Sequence, residues 1–121
     1  MGLPPHLITG LRGEQLAARY LRKAGYQIID ANFSTKLGET DIIARTKNGL
    51  LCFIEVKTRS PGHMFPPSDA VDHSKRENLK ANAIAYLRAN KVNDKEIRFD
   101  IMEVILYDLD TADFNHIKDA F

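Results

Sequence analysis

Two segments rich in β-branched and aromatic residues, 39–46 (ETDIIART) and 50–58 (LLCFIEVKT), stand on either side of Lys47-Asn48-Gly49. This is a strong β-hairpin signal, and it constrains the fold more than any other stretch of the chain. Side chains alternate along a strand, so Glu55 and Lys57 share one face of the second segment. How Asp41 of the first segment meets Glu55 depends on the turn. A two-residue Asn48-Gly49 turn would set Asp41 against Val56. A three-residue Lys47-Asn48-Gly49 loop would pair Thr46 with Leu50 and bring Asp41 directly opposite Glu55. Gly49 suits the left-handed position that the longer loop requires, so the longer loop is expected.

The surrounding elements follow from spacing. Leu16, Ala17, Tyr20, Leu21 and Ala24 recur at helical intervals, which predicts a helix over 11–24 that Gly25 stops. Residues 26–33 read as a first strand, and 34–38 turn the chain. Residues 60–72 carry three prolines and cannot be regular throughout. A second helix is expected to begin near Lys75, with Ser74 and Glu77 at capping-box spacing and Leu79, Ala83, Tyr86 and Leu87 as its buried face. Residues 97–107 read as the longest strand, and the tail FNHIKDAF as a short edge strand or a packed terminal aromatic. The order α-β-β-β-α-β predicts a mixed α/β (α+β) sandwich with a central sheet flanked by helices.

A chain of 121 residues, 44% hydrophobic and 27% charged, predicts one soluble domain spanning 1–121. No apolar run is long enough for a membrane span, and the first residues lack the pattern of a signal peptide. The lone cysteine, Cys52, gives no sign of an oxidising compartment, so a cytoplasmic protein is expected. A net charge of +1 neither supports nor excludes a nucleic-acid substrate, because an enzyme touching a few phosphates needs only a local basic patch.

Two carboxylates facing each other repel unless a cation sits between them. Oxygen ligands alone favour Mg²⁺, or Mn²⁺ in its place. Lys57, beside Glu55, would then orient or help deprotonate an attacking water and stabilise charge on a phosphate. That combination points to phosphodiester hydrolysis. The ordinary role of charges in a hairpin is a solvated face with cross-strand ion pairs. Against it, Phe53, Ile54 and Val56 surround Glu55 with apolar groups, and buried carboxylates are rare without a partner.

Glu14 is a third candidate acid, placed near the start of the first helix on its buried side, with the macrodipole as its plainer explanation. Gly13 beside it would permit close approach to the sheet. Lys75 and Arg76 oppose the macrodipole at the start of the second helix, which fits a phosphate-binding role as well as unremarkable surface charge. Lys75 aligns with Leu79, Ala83 and Tyr86 and so points towards the sheet. Arg59 is a further phosphate candidate. His6, His63, His73 and His116 show no zinc-ligand spacing, Cys52 reads as core packing, and Asp100 as a structural partner for Arg98 or another base. Met64 and Phe65 would contact a base or partner, or fold down on the core.

A longer series of motifs runs through the chain. It comprises Gly13-Glu14, Tyr20-Leu21, Gly25-Tyr26, Asn32, Gly38-Glu39-Thr40-Asp41, Phe53-Ile54-Glu55-Val56-Lys57-Thr58-Arg59, Ala70-Val71, Lys75, Arg98-Phe99-Asp100 and Ile117-Lys118-Asp119-Ala120-Phe121. The series resembles the bacterial YraN-like family along almost the whole chain. That resemblance implies a PD-(D/E)xK, restriction-endonuclease-like core, similar to archaeal Holliday-junction resolvases. It implies Asp41 and Glu55 as metal ligands with Glu14 as the first-helix acid, Lys57 as the catalytic lysine, and Lys75 as a supporting polar residue. The expected substrate is DNA, branched or damaged, with a homodimer as the assembly that junction cutting needs. The alternative is a non-catalytic nucleic-acid or protein-binding module that keeps the fold. Two departures stand out: Phe65-Pro66-Pro67 replaces an aromatic-glycine pair, and Thr40 replaces an aliphatic residue.

Overall fold

The apolar alternation of the central segments builds a five-stranded sheet in the order β1-β2-β3-β4-β5. The strands are β1 Gln27–Thr35, β2 Gly38–Arg45, β3 Leu51–Arg59, β4 Ile97–Leu106 and β5 Ala112–Ile117, with helices α1 Pro5–Lys23 and α2 His73–Ala89. These coordinates are a computed structural model, which describes residues 5–62, 72–93 and 96–121. Met64, Phe65, Pro66-Pro67 and Ala70-Val71 lie outside the described residues. β1–β2, β2–β3 and β4–β5 pair antiparallel, and β3–β4 pair parallel. The parallel pair needs a crossover connection, which α2 supplies.

Helix α1 covers one face, where Ala17 and Leu21 pack on Ile42, Ala44, Cys52 and Ile54. Helix α2 covers the other, where Ala83 and Tyr86 pack on Ile43, Leu51 and Phe53. β3 is central and covered on both sides, so its first six residues are buried. Cys52 lies in that core, and burial pushes its thiol up to about 11. No helix among the described residues is long and apolar enough to cross a membrane.

The hairpin loop takes its expected odd length. Thr46 N–H donates to the Leu50 carbonyl at 2.9 Å, Gly49 N–H to the Thr46 carbonyl at 3.0 Å, and Gly49 has φ +92°. The resulting register, Ile42↔Ile54 through Arg45↔Leu51, places Asp41 level with Glu55.

Other elements differ from expectation. α1 starts at Pro5, because Pro is at home in a first helical turn and the exposed Leu7, Ile8 and Leu11 break the buried periodicity. Glu14 is therefore a mid-helix residue, and the helix-dipole account of it falls away. α2 is capped by Asp72, whose carboxylate accepts from the Lys75 amide at 2.8 Å. Ser74 lies inside the helix, so the Ser74/Glu77 capping box does not form. The tail does both things expected of it: β5 is an edge strand, and Phe121 stacks on Phe99 with centroids 5.3 Å apart. Asp100, fully buried, is the structural partner expected of it. It accepts from Arg98 twice at 2.8 Å, contacts His116 Nε2 at 2.7 Å and accepts from the Asp119 amide at 3.0 Å.

A Cβ at Gly13 would fall on the Thr58 side chain, whereas one at Gly10 meets nothing within 4 Å. Gly13→Ala is expected to destabilise by about 1–3 kcal/mol through overpacking. Gly10→Ala should stabilise by up to about 1 kcal/mol through helix propensity. Urea unfolding of the two variants against the parent checks both signs.

Candidate active site

β2 and β3 part company at Asp41. A continued ladder would have Val56 donate its amide to the Thr40 carbonyl, but backbone pairing stops at Ile42↔Ile54. Val56 N–H donates instead to Asp41 Oδ2 at 2.8 Å. The carboxylate thus fills the gap that the splayed strands leave.

The splay comes with a change of face. Thr40 bonds Asn82 of α2, while Ile42 packs with Ala17 and Leu21 of α1. Residues two apart share a face in a regular strand, so the chain rotates between them. Opposite, Asn32 has φ +54°, and β1–β2 pairing skips from Ala31↔Ile42 to Phe33↔Thr40. Asn tolerates this left-handed conformation better than most residues. The expectation that Asp41 would share the face of Glu55 is therefore corrected. Its register is level with Glu55, but its carboxylate reaches the α1 side.

There it meets Glu14. Glu14, Glu39 and Asp41 bring carboxylate oxygens within 4.8 Å of one another. The carboxyl groups of Asp41 and Glu14 act directly on each other's ionisation. Burial, and then the Glu55 charge, push Asp41 up to about 8 despite the Val56 hydrogen bond that lowers it. Burial also raises Glu14, with Glu39 and Glu55 adding to the effect. A cleft of about 320 Å³ beside α1 is lined by Glu14, Gln15, Asn32 and Asp41 among others.

Glu55, 7% exposed, takes the α2 side. Its Oε1 lies 2.9 Å from Lys75 Nζ and 3.5 Å from Lys57 Nζ. Its Oε2 is buried and has no hydrogen-bond partner among the described residues. Burial lowers Lys57, and the neighbouring Lys75 lowers it further, outweighing Glu55. Burial opposes Lys75 too, but its interactions with Lys57 and Glu55 and the charge of Asp41 raise it overall. The two lysines thus divide into a readily neutralised one and a firmly charged one.

Of the residues expected at the site, the structure brings Glu14 and Asp41 together on one side and Glu55, Lys57 and Lys75 on the other. Arg59 and Arg76 are engaged elsewhere. Arg59 Nε bonds Glu103 Oε2 at 3.0 Å, and the Arg76 guanidinium lies 5.8 Å from the Phe121 ring centre. Sequence reasoning missed Glu39, although its position two before Asp41 on the same strand puts both on one face. It also missed Asn82, which falls in the stripe of Leu79, Ala83 and Tyr86.

An acid whose folded pKa is raised stabilises the fold most fully below its unfolded value and loses that contribution as pH rises through the folded value. For Asp41 the window runs from near 3.8 to about 8, and Glu14 acts in the same direction. In EDTA, the urea midpoint of the protein should therefore fall as pH rises from 5 to about 8. Asp41→Asn should flatten that decline, and equal slopes for the two proteins would contradict this account.

Relatives carry the same chain nearly end to end. A UPF0102 protein of Alkaliphilus oremlandii is 43% identical over 114 residues, covering 93% of this chain and 96% of its own. Another, from Syntrophomonas wolfei subsp. wolfei, is 43% identical over 112 residues with the same coverage. A solved structure, the SPO1766 protein of unknown function from Silicibacter pomeroyi, matches at 16% identity and TM-score 0.38, covering 97% of this chain and 73% of that one. That similarity is too slight to carry an argument. The model of the uncharacterised protein family UPF0102 matches residues 13–104, from the Gly13 contact to Val104 of β4, and with these relatives it places the chain in that family.

Proposed function

We propose that this protein is a Mg²⁺- or Mn²⁺-dependent endonuclease that hydrolyses phosphodiester bonds in DNA, on a restriction-endonuclease-like PD-(D/E)xK core. The observation that carries this reading is the convergence at the β2–β3 splay. Three carboxylates, Glu14 and Asp41 half-buried and Glu39 exposed, crowd one side, and Glu55 offers an unsatisfied buried oxygen on the other, beside two lysines.

The residues fit a hard divalent cation. All donors are carboxylate oxygens, and without a cation burial and the neighbouring acids raise both Asp41 and Glu14. Glu14, Asp41 and Glu55 would hold the ion, with Glu39 beside them. When bound, it supplies Lewis acidity to the phosphate oxygens and favours ionisation of the attacking water.

The chain's own groups account for the rest. Lys57, lowered by burial and by Lys75, accepts the proton of the water that attacks phosphorus. The phosphorus–oxygen bond on the far side then breaks, and the leaving oxygen takes its proton from solvent. Lys75 stays charged, holds Glu55 in place and offers its ammonium to the phosphate. Arg59 and Arg76, close to these lysines in sequence, keep their contacts with Glu103 and Phe121 and would add positive charge for the nucleic-acid backbone. Cutting a branched substrate on two strands would call for a homodimer.

Purified protein should cleave members of a panel of branched and linear DNAs in Mg²⁺ or Mn²⁺ and not in EDTA. Asp41→Ala and Glu55→Ala should abolish cleavage with folding intact. Lys57→Ala should slow it by about 10²–10⁴-fold, as loss of a general base does. DNA binding indifferent to EDTA and to Asp41→Ala, with no cleavage of any structure, would replace the enzyme with a non-catalytic binding module.

A further inference from the structure

We propose that Asn82 is a positioning residue that sets the pose of Asp41 through Thr40; the functional part of this claim rests on Asp41 being a site acid. Asn82 is fully buried on the sheet-facing stripe of α2. Its Nδ2 donates to the Phe33 carbonyl at 3.0 Å and to Thr40 Oγ1 at 2.9 Å. Its Oδ1 accepts from Thr35 Oγ1 at 2.7 Å, and Thr35 Oγ1 in turn accepts from the Leu37 amide at 3.1 Å. Both amide donors are used.

The position of these bonds matters. Phe33↔Thr40 is the first backbone pair beyond the skip at Asn32 and Asp41. Asn82 therefore ties both strands to α2 immediately past the irregularity. A buried amide that loses its partners is costly, so Thr40 is kept facing α2. Ile42, in the core under α1, is kept facing the opposite way. With its two neighbours held on opposite faces, the residue between them is left with one course, towards Glu14 and the Val56 amide.

The Val56 amide reports the pose directly, since its hydrogen is held by Asp41 and not by a ladder partner. Amide hydrogen exchange followed by NMR at a pH where the protein is stable provides the test. Asn82→Leu should speed exchange at Val56 by about tenfold or more, matching Asp41→Ala, while Ile54, still paired with Ile42, stays protected. Thr40→Val should reproduce the effect and Thr40→Ser should not, and this pair decides the matter if Asn82→Leu fails to fold. Mn²⁺ binding to Thr40→Val should weaken about tenfold, as loss of an outer partner does. Val56 protection at the parent level in folded Asn82→Leu or Thr40→Val would overturn the proposal. A parent protein that binds no Mn²⁺ would overturn the metal reading instead, and the exchange result would still decide the role of Asn82.

Discussion

Beyond Ile42 and Ile54 the backbones of β2 and β3 stop bonding each other, and the Val56 amide turns to the carboxylate of Asp41. An amide in the interior must be satisfied, so the splay persists only because a side chain stands in for the missing carbonyl. The same substitution opens the sheet between its two faces. Glu14 on α1 and Lys75 on α2, which a continuous ladder would separate, come to act on carboxylates at one gap. The rest of the site is arranged around that single exchange of partner.

The electrostatics of the gap differ from those elsewhere in the molecule. Asp100 is a fully buried acid, yet Arg98, His116 and the Asp119 amide surround it, and their hydrogen bonds hold it below the ordinary carboxylate range despite its burial. Glu103 has Arg59. At the splay the compensation is incomplete: Asp41 and Glu14 are raised, and one oxygen of Glu55 lacks a partner among the described residues. On the opposite side two lysines share Glu55, and there Lys57 is lowered while Lys75 is raised. Perturbed groups concentrated in one place, while comparable groups nearby are satisfied, single this region out as the candidate site.

The fold explains why these groups can coexist. β3 is covered on both faces, and its parallel pairing with β4 runs on through Glu55 and Lys57 to Arg59, so it holds both side chains on a rigid support. Gly13 lets α1 approach the Thr58 side chain, which brings Glu14 within reach of the sheet. Asp72 caps α2 and places Lys75 in its first turn, over Glu55. Each is a short-range device serving a long-range meeting.

Much of this was legible from the chain alone. Alternation in 39–46 and 50–58, together with Gly49, determined the hairpin, its odd loop and the level of Asp41 with Glu55. The helical spacing of Lys75, Leu79, Ala83 and Tyr86 determined that Lys75 faces the sheet. What the chain alone left undecided was the face that Asp41 takes, and with it the partnership with Glu14 and Glu39. Strand alternation is a local rule, and it assumes an unbroken ladder. Here it is broken by Asn32 on one neighbouring strand and countered by Asn82 on a helix more than 40 residues away in sequence. The start of α1 was hidden for a related reason: its first turns lie exposed, and periodicity reports only the part of a helix that packs. Side-chain pattern determined the elements and their register, while contacts between distant elements decided which carboxylates share a site.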